Sequence, residues 1–188
     1  MYRFIVVLTL IALSLTGCGN PATNAGMSAP VILTSTTFLA DIVRNVAGDR
    51  MEVASLLPIG TDPHSYQPTP QDVAKIEQSQ LLIINGADYE HFLEPLLENA
   101  GGERTIVEAS TGISPREEAG SVDPHLWLDP NNVILYVENI RDGLVRFDPE
   151  GADAYRSNAD EYMRQLTELD AWIVEQVNQV PAERRLLV

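Results

Sequence analysis

The sequence predicts an α/β fold: an N-terminal βα lobe built on a parallel sheet, then one long helix and the first strand of a second lobe. Three observations carry this. Short apolar runs of strand length alternate four times with stretches of helical period, the pattern of βα units. One of those runs, "LLIING" from Leu81, is apolar without alternation, as a strand covered on both faces must be. A stripe of Tyr155, Ala159, Tyr162, Leu166, Leu169, Ile173, Val177 and Val180 recurs at steps of three and four residues, which is one face of a single amphipathic helix.

Taken in order, "VILTST" from Val31 reads as the first strand and "FLADIVRNVAG" as a helix. Phe38, Ile42, Val43 and Val46 share one face of that helix, and Gly48 lies past its end. "MEVASLLP" is the second strand and runs into the loop "IGTDPHSYQPTP". "PQDVAKIEQ" starts a helix with Pro70 in the first turn, where its missing N–H costs nothing. After the Leu81 strand, "ADYEHFLEPLLENAGG" reads as a helix closed by glycines. "RTIVEAS" is the fourth strand, followed by a polar loop to Val122. "PNNVILYVENIRDGLVRF" makes a helix beginning at Asp129-Pro130, and Asp148-Pro149 breaks it. The striped helix follows; about 26 residues at ~1.5 Å each make a rod of ~39 Å, long enough to cross a domain. It reads as a packed core helix with no chemistry on it. Pro181 ends it, and "RRLLV" reads as a strand just starting.

The N-terminus carries a different signal. After Arg3, "FIVVLTLIALSLTG" is apolar with only Ser and Thr interruptions, the h-region of a secretory signal and short for a membrane span. It ends at Leu15-Thr16-Gly17-Cys18, which resembles the lipobox of bacterial lipoproteins. Cleavage is then expected before Cys18, whose acyl chains would hold the protein on the extracytoplasmic face of the cell membrane. A plain signal peptide with a chance cysteine is the alternative. Cys18 is the only cysteine, so no internal disulfide or redox pair is possible. The expected divisions are 1–17 signal peptide, 18–30 flexible Gly/Pro/Ala/Asn tether, 31–150 N-terminal βα lobe, 151–180 long backbone helix and 181–188 the start of a second lobe.

Net charge is −15 with no basic run, a poor match for nucleic acid or anionic lipid, both of which need clustered Lys and Arg. The chain has no G-x-S-x-G, phosphate loop, His-Glu-x-x-His or cysteine cluster. No catalytic residues are expected. Glu90, Glu94 and Glu98 recur at helical spacing, which reads as a solvated face.

Two of the three histidines sit in the same tripeptide, Asp62-Pro63-His64 and Asp123-Pro124-His125. Asp-Pro starts turns, because proline fixes φ and the aspartate caps nearby donors. Each histidine is thereby presented from a stiff loop, and a pre-ordered neutral imidazole suits metal binding. One such loop alone would be turn chemistry. Two of them beyond strands of a parallel sheet, the edge where ligands bind, make His64 and His125 candidate metal ligands. Asp62 and Asp123 are placed to orient the rings. His91, inside "YEHFLEPLL", is expected to be a partly buried structural histidine on a helix. Trp127 and Tyr66 are expected to be pocket walls or packing.

With "TDPHSYQPTPQDV", "LIINGADYEHFLEPLL" and "DPHLWLDPNN" in view, the chain resembles the zinc/manganese-binding lipoproteins of bacterial metal ABC importers. The resemblance runs from about Val31 to Val188. It implies two βα lobes joined by one long helix, with the metal between them. It implies a substrate-binding protein, expected to be monomeric, that delivers a divalent metal to an ABC permease, and it carries His64 and His125 over as the N-terminal ligands. The family's remaining ligands come from the second lobe, and no residue here matches them. The stretch "SPREEAGSV" lacks the histidine-rich insert of many zinc members; both Zn²⁺ and Mn²⁺ stay open, with zinc preferred. A metal-dependent hydrolase, or an adhesin or scaffold lipoprotein without a metal, are the competing readings.

Overall fold

A computed structural model describes residues 32–118 and 120–185. The expected signal segment, Cys18, the tether and residues 186–188 lie outside the described residues.

The four expected strands pair in one parallel sheet: β1 (Ile32–Thr34), β2 (Val53–Ser55), β3 (Leu81–Ile84) and β4 (Thr105–Glu108), in the order β2-β1-β3-β4. Ile32 sits between Val53 and Leu81, and Ile83 pairs with Val107. Side chains alternate between the two faces. Ile32, Val53, Leu81, Ile83 and Val107 point to one core, while Leu33, Leu82, Ala54 and Ile84 point to the other. Both faces are covered, which is why "LLIING" shows no alternation.

The first face is covered by α1 (Thr37–Ala47) and α4 (Pro130–Phe147), with α5 (Ala152–Asn178) packed along both. Leu39, Ile42, Val43 and Val46 give α1 its apolar stripe, and Tyr136, Ile140 and Leu144 give α4 its own. Fully burying one such side chain stabilises by about 1.5–3 kcal/mol. Asp129 caps α4 by accepting the Asn131 N–H at 2.9 Å, satisfying a donor the helix leaves free. Gly143 lets α4 approach the sheet: a Cβ there would lie 2.6 Å from Val107 Cγ2. The second face is covered by α2 (Pro70–Gln78) and α3 (Leu93–Asn99), through Ile76, Leu93 and Leu96.

Several expectations need correction. The helix expected from Ala87 begins only at Leu93. Ala87 and Asp88 hold φ of 52° and 58°, a left-handed turn that cannot continue a helix. The polar loop before Val122 contains a small hairpin, β5 (Glu117–Glu118) against β6 (Ser121–Val122). The striped helix, expected over 151–180, spans Ala152–Asn178 and is a core helix only as far as Leu166: Tyr155, Ala159 and Leu166 are buried, whereas Leu169, Trp172, Val174 and Val177, and Val180 past its end, are exposed. Its 27 residues make a rod of roughly 40 Å, and beyond Leu166 it adds no fully buried apolar side chain to the core. Of the strand expected at "RRLLV", residues 186–188 lie outside the described residues; Arg184 closes a 3₁₀ turn, Ala182–Arg184.

Candidate metal centre

The strand order reverses between β1 and β3, since the chain steps to one side for β2 and to the other for β3 and β4. Ligands of open parallel sheets bind beyond the carboxyl ends of the strands at such a reversal. The residues leaving β1 and β3 there are Ser35 and Asn85, both fully buried.

One carboxylate ties these two strand ends together. Glu90 Oε1 accepts from Ser35 Oγ at 2.6 Å and from the Asn85 N–H at 2.6 Å, while Oε2 accepts from the Gly86 N–H at 3.0 Å. Burial raises the Glu90 carboxyl above its ordinary range although these donors act the other way. The solvated role expected of Glu90 is therefore wrong, while Glu94 and Glu98 are exposed as expected. The turn at Ala87–Asp88 is what swings Glu90 back over the strand ends.

The two Asp-Pro-His loops come from opposite sides of this reversal. His64 lies on the loop leaving β2, the edge strand beside β1. His125 follows β4, the edge strand beside β3, after the hairpin. They meet over the centre: the imidazole centroids are 5.7 Å apart with planes tilted by 48°. Two imidazoles sharing one ion at about 2.1 Å per metal–nitrogen bond place their centroids roughly 5–6 Å apart.

An aromatic floor supports the rings. Tyr89 sets its edge or face against both, at 6.0 Å from His64 and 6.1 Å from His125. Trp127 lies 5.2 Å from His125 and stacks on Phe38 of α1 at 4.1 Å. Trp127 is thus a wall, within the roles expected for it. Tyr66 is packing and bracing, edge-on to Phe92 and donating to Asp72 at 2.5 Å.

The turns hold the histidines as the Asp-Pro pattern implies, but unequally. Asp62 Oδ1 accepts the His64 N–H at 3.0 Å, and its Oδ2 accepts from Ser65 Oγ at 2.9 Å. Asp123 Oδ1 accepts the His125 N–H at 3.1 Å and also lies 2.8 Å from His125 Nδ1. Those contacts, the ring first, hold the Asp123 carboxyl below the usual range. An ionised carboxylate makes Nδ1 the donor and leaves the Nε2 lone pair free for a metal. A cleft of about 400 Å³ opens beside His125, lined also by Asp123, Arg116 and Asn132.

His91 stands apart. It is exposed, in a turn rather than on a helix, and lines a different cleft with Glu94, Glu98 and Glu108. Among the described residues no group of three or more His, Cys, Asp or Glu side chains is arranged around one ion. The centre present is a pair of imidazoles. Sequence reasoning missed Ser35, Tyr89, Asn85 and Glu90, whose only signal was the Asn-Gly directly after β3.

Comparison with known families matches residues 32–188 to ZnuA, zinc-uptake complex component A, periplasmic. The chain is 41% identical over 189 residues to the manganese-binding lipoprotein MntA of Halalkalibacterium halodurans, covering 98% of this chain and 63% of that one. Among solved structures it resembles the Mn-bound periplasmic metal binding protein of Candidatus Liberibacter asiaticus (TM-score 0.77, 32% identity, 85% of this chain and 61% of that one). It also resembles Zn(II)-bound AdcA of Streptococcus pneumoniae (TM-score 0.73, 29% identity, 80% and 33%). The chain therefore spans under two thirds of the length of these relatives.

Proposed function

The chain belongs to the ZnuA family, the periplasmic component A of zinc-uptake complexes, and from that premise we propose that it supplies the N-terminal half of a site that captures a divalent transition metal for an ABC permease. The observation that carries this reading is the 5.7 Å approach of His64 and His125, brought together from opposite edge strands at the sheet's reversal. The family is one of transport components, not of enzymes, which sets aside the metal-dependent hydrolase.

The ion is cargo. It must be held firmly enough to be captured and be released without chemistry. Two imidazoles on short turns suit that task, because the turns lower the ordering cost of binding while leaving one side of the ion open. The remaining ligands and the contact with the permease belong to the proposal, as does division of the chain into a lobe at 31–150 and a backbone helix at 151–180. Cys18 is proposed as the lipidated residue that keeps the protein at the extracytoplasmic face, in keeping with the lipoprotein name of its MntA relative.

The sequence favours zinc, whereas the MntA relative is named for manganese. Imidazole serves either ion, and the Irving–Williams order favours Zn²⁺ over Mn²⁺ at any all-nitrogen pair. We propose a site whose ion is set by its further ligands rather than by the histidines. Competition titration with Zn²⁺ and Mn²⁺ on the wild type, His64→Ala and His125→Ala tests the assignment. Each substitution should cut affinity at least tenfold; unchanged affinity in both overturns it.

A further inference from the structure

We infer that Asn85 is the positioning residue for the two-histidine centre, fixing His125 against the sheet through its side-chain amide. This rests on the metal-binding reading above. The argument lies in one peptide unit, the one joining Pro124 to His125. Its N–H is taken by Asp123 Oδ1 at 3.1 Å and its carbonyl accepts from Asn85 Nδ2 at 3.2 Å. Both polar edges of the plane are bonded, so the plane cannot rotate without breaking one of them. The imidazole that follows is thereby aimed.

Asn85 can do this because it is itself fully engaged. Its Nδ2 also donates to the Gly86 carbonyl at 2.9 Å, and its Oδ1 accepts from Tyr136 Oη at 2.6 Å. Its own N–H goes to Glu90, and its carbonyl accepts the Ser110 N–H at 3.1 Å. The Gly86 and Pro124 carbonyls can only accept, so they set the NH₂ on their side, and Tyr136, fully buried on α4, satisfies the Oδ1 that this leaves facing the core. A network this well satisfied in a buried place specifies one geometry. The line therefore runs from the α4 core, through Asn85, to the His125 peptide.

The other turn is built differently. The Pro63–His64 peptide has its N–H bonded to Asp62, but among the described residues no side chain of the sheet reaches its carbonyl. His125 is anchored to the core and His64 to its own loop, so the spacing between them depends on Asn85 from one side only.

The three histidines make a direct experiment possible, with His91 as an internal reference. Zn²⁺ is titrated into the full chain while imidazole resonances are followed by NMR. In the wild type His64 and His125 should shift together and His91 should stay in place. Asn85→Ala should lower Zn²⁺ affinity about tenfold, the range seen when a second-layer partner is lost, and His125 should lose its coupling to His64. Tyr136→Phe, which keeps the buried ring, should lower it about threefold by leaving the buried Asn85 Oδ1 unpaired and loosening the amide; this variant decides the matter if Asn85→Ala fails to fold. Leu144→Ala serves as a core variant of comparable melting loss and should keep wild-type affinity. Wild-type affinity in Asn85→Ala, or in Tyr136→Phe where only that variant folds, overturns the inference, as does an equal loss in Leu144→Ala. Unchanged titration in His64→Ala and His125→Ala overturns the metal reading and the inference with it, an outcome distinct from the others.

Discussion

Asp123 grips His125 twice through one oxygen, at the backbone N–H (3.1 Å) and at ring Nδ1 (2.8 Å), whereas Asp62 grips only the backbone of His64 and spends its second oxygen on Ser65. The carboxylate on Nδ1 sets the tautomer that leaves Nε2 for a metal. A neutral amide there weakens that hold, because its bond to the ring loses the charge and its NH₂ can face the ring instead. Asp123→Asn should therefore lower Zn²⁺ affinity about tenfold, and Asp62→Asn should change it by less than about threefold. Chelator competition at fixed pH checks the difference; equal losses would mean the ring contact has no influence on the metal.

The His64 loop is braced at its far end by Asp72, which is nearly fully buried. Burial alone would push that carboxyl up. The donors around it, Tyr66 Oη, Thr69 and Lys75, outweigh burial and hold it down at about 2. Tyr66 is pushed up to about 12, by burial first and then by Asp72. The depressed carboxyl adds stability above the ordinary aspartate range that is lost as pH falls through about 2, worth about 2 kcal/mol. The raised phenol adds stability below pH 10 that is lost as pH rises through about 12. Tyr66→Phe should cost roughly 1–2 kcal/mol near neutrality and soften both limbs of the melting-against-pH curve. A curve unchanged at either end would remove the brace from the account.

Much of this was legible in the residues. Pro70 and Asp129-Pro130 mark helix starts because a proline without N–H fits only there, and both helices run as read. The paired Asp-Pro-His turns were legible because local chemistry alone forms them. What could not be read was anything whose cause is tertiary. Glu90 looks like a solvated helix position until the left-handed turn at Ala87–Asp88 folds it over Ser35 and Asn85. Leu169 and Val177 continue the stripe of Leu166 without a break, and periodicity cannot tell where the covering layer stops. Asn85 carried only an Asn-Gly signature, which reads as a turn and says nothing of Tyr136 and Pro124, distant in sequence.

Gly86 is the hinge of that hidden part. Its φ is 82°, and a Cβ there would fall 2.1 Å from the Glu108 side chain. Its N–H also feeds Glu90. Gly86→Ala should cost about 1–2 kcal/mol from backbone strain, with a further loss of Zn²⁺ affinity as Asn85 shifts. Chemical denaturation read beside metal titration separates the two; a stable variant with weakened binding would still locate the strain at the centre, and an unaffected one would contradict it.

The long helix offers the clearest contrast between pattern and environment. Leu166 and Leu169 lie on the same stripe, yet Leu166 is 7% exposed and Leu169 44%. Only Leu166 has a core to leave. Leu166→Ala should cost about 2–4 kcal/mol, the transfer and cavity cost of a buried leucine, while Leu169→Ala should stay within about 0.5 kcal/mol. Trp172, 57% exposed on the same distal half, should be readily quenched by iodide. Trp127, stacked on Phe38, should be protected, so Trp172→Phe should remove most of the quenchable signal. The denaturation midpoints and the quenching together test whether apolar burial of the helix ends at Leu166. Equal costs for the two leucines, or a protected Trp172, would require a layer over the distal half and would withdraw that description.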